Sequence, residues 1–172
     1  MSNTAKYVWA ALIVAVAVHF GLIHATPRMM MDAAIERIAA EGYNAWRAAP
    51  RITAAARDIP RPSPDFAYFA CAYDLKDGPL NIRVAPSPGY WSLSLYAANS
   101  DNFYVIDDRE TDYDARITLV RTGRRPPEDA QNVVFSPSRR GIALIRRLAP
   151  DVTSHAAATA IAQGDACAPL AA

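Results

Sequence analysis

Lysine is scarce in this chain, with Lys6 and Lys76 the only two among eighteen basic residues, and net charge is nearly absent at +1. So balanced a molecule creates no overall field to gather a polyanion, and no stretch interleaves basic with aromatic side chains, so nucleic acid is not an expected partner. Arginine in place of lysine carries little functional weight, since either cation keeps a surface soluble. No G-x-S-x-G elbow occurs, and no internal repeat. His155 is the one histidine outside the N-terminal apolar run, and nothing orients it against a serine or against Cys71 or Cys167. A serine or cysteine hydrolase therefore has no visible machinery. These absences favour a non-enzymatic role, and no cofactor is expected.

What is present begins with grease. Tyr7 to Ala25 is a run of nineteen residues without a formal charge, close to the roughly 20 that carry a helix across a bilayer's hydrocarbon. Tyr7 and Trp9 suit the headgroup region at one end, and Lys6 can reach back to the same interface. A cleaved secretory signal is the alternative, with Lys6 as its charged region and Ile23-His24-Ala25 as a loose cleavage site. The run is longer than a usual signal core, and Pro27 would hinder a cut, so we read a retained anchor. Both readings export the rest of the chain. Lys6 on one side and Arg28 and Arg37 on the other leave orientation nearly undecided; we place the N-terminus in the cytoplasm. His19 and His24 fall within the run, and His19, four residues after Ala15, has the small-residue spacing of helices that ligate haem or chlorophyll; a neutral histidine without a cofactor is the plainer reading.

Thr26-Pro27 looks like a helix restart, with threonine as cap and proline at the first helical position. Met31, Ile35, Ile38, Tyr43 and Trp46 then recur near helical spacing, which predicts an amphipathic connector helix ending by Pro50, its stripe lying on the domain or on the membrane. A further short helical piece and the prolines Pro60, Pro62 and Pro64 form an extended arm. From Phe66 onward the period falls to two. The segments 66–73, 80–84, 91–95, 102–106, 116–120, 132–135 and 142–148 read as short strands separated by turn residues, which predicts a mainly β domain, a sandwich or jelly roll. Asp151 or Thr153 can cap a terminal helix that ends before Gly164. The expected organisation is 1–26 anchor, 27–64 helical and proline-rich connector, and 65–172 β-sandwich with its C-terminal helix.

Ser63 to Ile106 carries an ordered pattern: an Asp-aromatic strand start, Tyr73-Asp74-Leu75, Gly78-Pro79, an alternating strand, Pro86, then Tyr90-Trp91-Ser92 leading to Leu95-Tyr96. This pattern, with Ser136 to Asp151 as a closing strand, resembles the domain-of-unknown-function-1254 family. The resemblance implies a jelly-roll-like fold and, as in short proteobacterial members, one N-terminal membrane helix; with the N-terminus placed in the cytoplasm, the expectation is a bacterial inner-membrane protein, single-pass, with its C-terminal domain in the periplasm. It implies no reaction and no catalytic residues. Larger relatives fuse this domain to the domain-of-unknown-function-1214 family, so a separately encoded jelly-roll partner is an expectation here.

Several residue groups remain as candidates. In an oxidising compartment Cys71 and Cys167 are expected to pair, and two free buried cysteines are the alternative. Asp108, Glu110, Asp112 and Asp114 alternate at the spacing of oxygen ligands for calcium, yet the glycine of an EF-hand turn is missing and a solvated hairpin explains them as well. Arg116 to Arg147 contains eight arginines against Glu128 and Asp129, a local charge of +6. Its patch of Arg121, Arg124, Arg125, Arg139 and Arg140 can meet anionic headgroups or an acidic partner, or pair with acids in the fold, the Asp107 to Asp114 loop being the obvious complement. Tyr90, Ser92, Ser94 and Tyr96 form a polar, aromatic face opposite Trp91, Leu93 and Leu95, the candidate ligand surface. Three functions are compatible with these features. The chain is a protein-interaction module of the cell envelope, or a small-ligand or glycan-binding or processing protein, or an accessory subunit that acts through its single helix, where Ala10, Ala11, Ala15, Ala17 and Gly21 permit close packing.

Overall fold

The computed structural model describes residues 2–53, 62–111 and 114–170. The helical piece and Pro60 expected ahead of the first long strand lie outside these residues, as does Asp112.

Helix α1 spans Asn3–Ile38, capped by the Ser2 hydroxyl, which accepts from the Ala5 amide. One correction falls at its middle. The helix runs unbroken through Pro27 and does not restart there. Proline removes one donor and crowds the preceding turn; the Arg28 guanidinium donates to the His24 carbonyl and serves an oxygen of that turn. Residues 6–26 are exposed throughout, whereas Ile35 is fully buried against Ala72 and Ile142, with Met31, Ile38 and Ala39 packed around it. The apolar stripe of the connector thus lies on the sheet.

That helix also ends earlier than its stripe predicts. A 3-10 turn, Ala39–Glu41, leads to Gly42 at φ 115° and Asn44 at φ 60°, both in the left-handed region that glycine and asparagine tolerate best. The chain turns and adds a short strand β1, Arg47–Ala48, which the residue pattern did not announce. Tyr43 and Trp46 therefore do not continue a helical stripe, and Trp46 packs on the main core.

The strands β2 (Phe66–Asp74), β3 (Leu80–Val84), β4 (Trp91–Ala97), β5 (Asn102–Asp107), β6 (Ala115–Arg121), β7 (Val133–Ser136) and β8 (Arg140–Leu148) match the alternating segments closely. Helix α2 (Val152–Ile161) comes next, with Asp151 as its cap and Ser154 closing a capping box. A last strand, β9 (Ala166–Pro169), was not anticipated. Two sheets result, one ordered β1-β2-β8-β4-β5 and one ordered β7-β6-β3-β9, antiparallel except for the β6-β7 pair.

These sheets face one another as a sandwich. Phe69, Leu93, Leu95 and Ile145 from the first meet Leu80, Ile82, Ile117 and Leu119 from the second, all almost wholly buried. Each such side chain contributes about 1.5–3 kcal/mol by leaving water. The expected cystine is present: Cys71 in β2 is bonded to Cys167 in β9, so it crosses between the sheets and fastens the last strand to the first long one.

Candidate functional site

Strand register collects a distinct set of loops where α1 joins the sandwich. Asp74 pairs with Arg140, Ala97 with Gly141, and Arg121 with Ser136, so the ends of β2, β4, β6 and β7 and the start of β8 share one end of the fold. The tip of the β4-β5 hairpin touches the helix directly, through the Ser100 hydroxyl donating to the Pro27 carbonyl at 2.8 Å. Arg28 and Asp32 line a shallow cleft against Ala97, Ala98, Asn99, Pro137 and Ser138. The apolar half of α1 projects away from this helix-entry end.

The five arginines of the basic patch gather here. Arg139 pairs with Asp74 at 3.3 Å, and Arg140 reaches Asp32 of α1 at 4.0 Å. Arg125 and Glu128 approach to 3.9 Å with both side chains in solvent. Arg121 and Arg124 are exposed and form no ion pair among the described residues. Gly123, at φ 84°, closes the tight turn in which the Arg124 amide donates to the Arg121 carbonyl. Beneath the arginines the interior is neutral. The Tyr73 hydroxyl donates to the Tyr96 carbonyl at 3.1 Å and lies 3.0 Å from the Ser136 hydroxyl, and Ser136 donates onward to the Ser138 carbonyl. Burial pushes the Tyr73 hydroxyl up from its ordinary pKa, so it stays protonated and able to donate.

The acidic loop is at the other end, which corrects its assignment as complement to the whole patch. Register places Ala115 opposite Val84 and Asp107 opposite Ser92, far along the strands from Arg121 and Arg140. Asp114 accepts from Arg83 at 2.7 Å and from Arg116 at 2.8 Å, and these hydrogen bonds hold its carboxyl below the usual carboxylate range. Of the eight arginines in the basic segment, this loop thus engages Arg116. Asp107 and Glu110 turn inward on the loop itself, accepting from the Arg109 and Asp107 amides. Asp108 has one buried oxygen without a hydrogen-bond partner among the described residues. Among the described residues no group of three or more His, Cys, Asp or Glu is arranged to hold a metal ion.

The serine and tyrosine face is not an open surface. Ser92 and Ser94 are 1% and 0% exposed, and Tyr90 and Tyr96 are half-buried. Serine is the shortest side chain in a row that sets Ser92 between Arg146 and Asp107, and Arg146 reaches over to donate to Ser94. Tyr90 stacks edge-on against Phe66. Both faces of β4 are therefore covered, which alternation with polar residues does not reveal. His19 lies in the exposed part of α1, lining a shallow furrow with Ala11, Ala15 and Leu22.

Sequence reasoning also missed a buried ion pair. Arg147 follows Ala143 and Ile145 at period two and so points into the core, opposite Trp91 and Ala67. Both its terminal nitrogens meet Asp165, at 2.7 and 2.8 Å, and one also donates to the Ala85 carbonyl. The Phe69 ring lies 5.3 Å from the guanidinium carbon, and the Ala85 amide donates to the same carboxylate. The signal was available, since the inward phase of the strand includes position 147, but the partner comes from the unanticipated segment after α2.

With this architecture in view, comparison with known proteins gives one decisive match: the family described as protein of unknown function DUF1254 covers residues 43–169. The chain belongs to the DUF1254 family. That span begins just before β1 and closes on the last residue of β9, so it takes in both sheets and the cystine and leaves α1 outside. Solved structures similar to this DUF1254 chain include the VPA0106 protein from Vibrio parahaemolyticus, 14% identical with a TM-score of 0.60 over 78% of this chain and 33% of that one. A protein from Burkholderia cenocepacia is 16% identical, with a TM-score of 0.45, over 78% of this chain and 38% of its own. The chain spans about a third of the length of these proteins. The VPA0106 likeness shows the fold. No curated protein matches the chain.

Proposed function

We propose that this DUF1254 protein is a membrane-anchored, non-catalytic interaction module. Its sandwich stands on the periplasmic side of a bacterial inner membrane and meets another envelope protein. The observation that carries this reading is the continuity of α1. One helix presents an exposed apolar run long enough to cross a bilayer and then, without a break, buries Ile35 in the sheet. An anchor coupled so rigidly fixes the height and direction of the domain above the lipid. The Cys71–Cys167 bond supports an oxidising compartment, where such bonds persist. A separately encoded jelly-roll chain is a reasonable partner, given that the region similar to this chain makes up 33% of the VPA0106 protein. Carbonate washing of membranes tests the anchor, and the full-length chain is expected in the pellet; release into the supernatant sinks the reading. Pull-down from detergent-solubilised membranes is expected to recover a second envelope protein in fixed proportion, and a bare monomer speaks against it.

A second reading has an observation of its own. The furrow of Ala11, Ala15 and His19 on the exposed half of α1 is a surface on which another membrane helix can pack closely. In that case Ala11→Leu and Ala15→Leu together disperse the complex while leaving the sandwich folded.

A further inference from the structure

The arginine patch and the exit of α1 occupy the same end of the sandwich, and nothing in the fold requires this. Residues 121–127 carry three arginines and no acid. Arg121 and Arg124 are exposed without a described ion-pair partner, and Arg125 meets only the solvated Glu128. Arg139 lies across the same end, joined to Asp74. The acids Asp77 and Asp101 also lie there, but the densest acidic loop, 107–114, with five carboxylates against Arg109, is at the opposite pole. Phe135, 49% exposed on the edge strand β7, adds an apolar ring one residue from this end. Pro27, two residues beyond the apolar run, already touches the β4-β5 tip, so no spacer separates the loops from the end of that run.

We propose that Arg121, Arg124 and Arg125 rest on anionic phospholipid headgroups of the bilayer that α1 enters, with Phe135 at the interface beside them. This rests on the anchored reading above. Guanidinium groups pair bidentately with phosphate, and a basic side chain near an anionic surface favours the docked state about fivefold. Three of them act together. The sandwich is thereby held against the lipid with its acidic pole outward, and added salt weakens the contact.

Full-length protein in nanodiscs of phosphatidylcholine, with or without phosphatidylglycerol, provides the test. A fluorophore at Pro126→Cys is quenched by lipid bearing a nitroxide on its headgroup; the native cystine leaves that thiol as the one that labels. The quenching slope is expected to rise severalfold when phosphatidylglycerol is present. It returns to the phosphatidylcholine value in Arg121→Gln/Arg124→Gln/Arg125→Gln, whose exposed positions leave the fold intact. A label at Arg109→Cys, at the opposite pole, responds to neither lipid. If the chain fails to co-purify with the discs, the anchor falls and this inference with it. If it co-purifies but the slope at position 126 ignores lipid charge, the anchor stands and the headgroup contact is overturned. An acidic protein partner for the arginines then takes its place.

Discussion

The two ends of the sandwich solve the same problem with opposite chemistry. At the helix-entry end the sheets are tied by neutral hydroxyls, Tyr73 to Ser136, and the charges stay outside as arginines. At the far end an arginine goes inside, Arg147 onto Asp165, while the surface loop is acidic. The difference lies in what each end risks. A neutral hydrogen bond contributes about 1 kcal/mol, and stranding one neutral partner costs about 1–3 kcal/mol. A buried ion pair adds little over an apolar pair of the same shape, yet removing one partner strands a charge. The far end is therefore the brittle one, and the entry end can carry surface changes without cost to the core.

The sharpest way to break this contrast is Arg147→Met. It leaves the Asp165 carboxylate buried with only the Ala85 amide, and the expected loss is about 3–5 kcal/mol in chemical denaturation. Arg147→Met with Asp165→Leu is expected to recover most of that loss. A single variant within about 1 kcal/mol of wild type would show the pair to be structurally idle.

Gly141 probes the entry end by volume where Arg147 probes the far end by charge. A Cβ at this position would overlap the Tyr96 carbonyl oxygen and the Tyr73 hydroxyl, with backbone on one side and a fully buried ring on the other. Gly141→Ala is expected to cost about 1–3 kcal/mol, read as a lower denaturation midpoint with unchanged slope. A neutral result would mean that the Tyr73 ring can move aside, and the entry end would then be looser than its hydrogen bonds imply. Tyr73→Phe removes only the hydroxyl, and its expected cost is about 1 kcal/mol, because Ser136 keeps the Ser138 carbonyl as acceptor. A loss as large as that of Arg147→Met would erase the distinction between the two ends.

How much of this was legible in the sequence divides along the same line. Strands whose outward residues are polar announced themselves: Asn81 and Arg83 against Leu80, Ile82 and Val84 fixed both the element and its inward face. Asp151 marked the start of α2, and the two cysteines found each other. What stayed hidden was decided by distant chain. Ala166–Pro169 is too short and too weakly patterned to declare a strand until Leu80 to Arg83 pairs with it. Ser92 and Ser94 read as surface because serine is polar, and their burial depends on longer side chains of the neighbouring strands, Arg146 among them. Pro27 read as a boundary because a proline opening a helix and one inside a continuous helix look alike locally. The arginine patch was visible as a charge run, but its place beside the helix exit came from register alone.

The smallest expected effect concerns Asp114, which among the described residues of the far loop is the acid bound by two arginines. Hydrogen bonds from Arg83, then from Arg116, hold its carboxyl below its ordinary value of 3.8. A carboxylate depressed in the folded state stabilises the fold above its unfolded pKa and loses that contribution as pH falls through the folded one. Asp114→Asn removes the charge and keeps the shape. The variant is expected to melt slightly below wild type at neutral pH, with the gap closing as pH falls below about 4, where the unfolded carboxylate begins to take up its proton. Thermal melts at stepped pH in low salt read this directly. A gap that persists unchanged into strong acid would assign the effect of the substitution to packing, and the two arginines would then hold Asp114 in place without drawing stability from its charge.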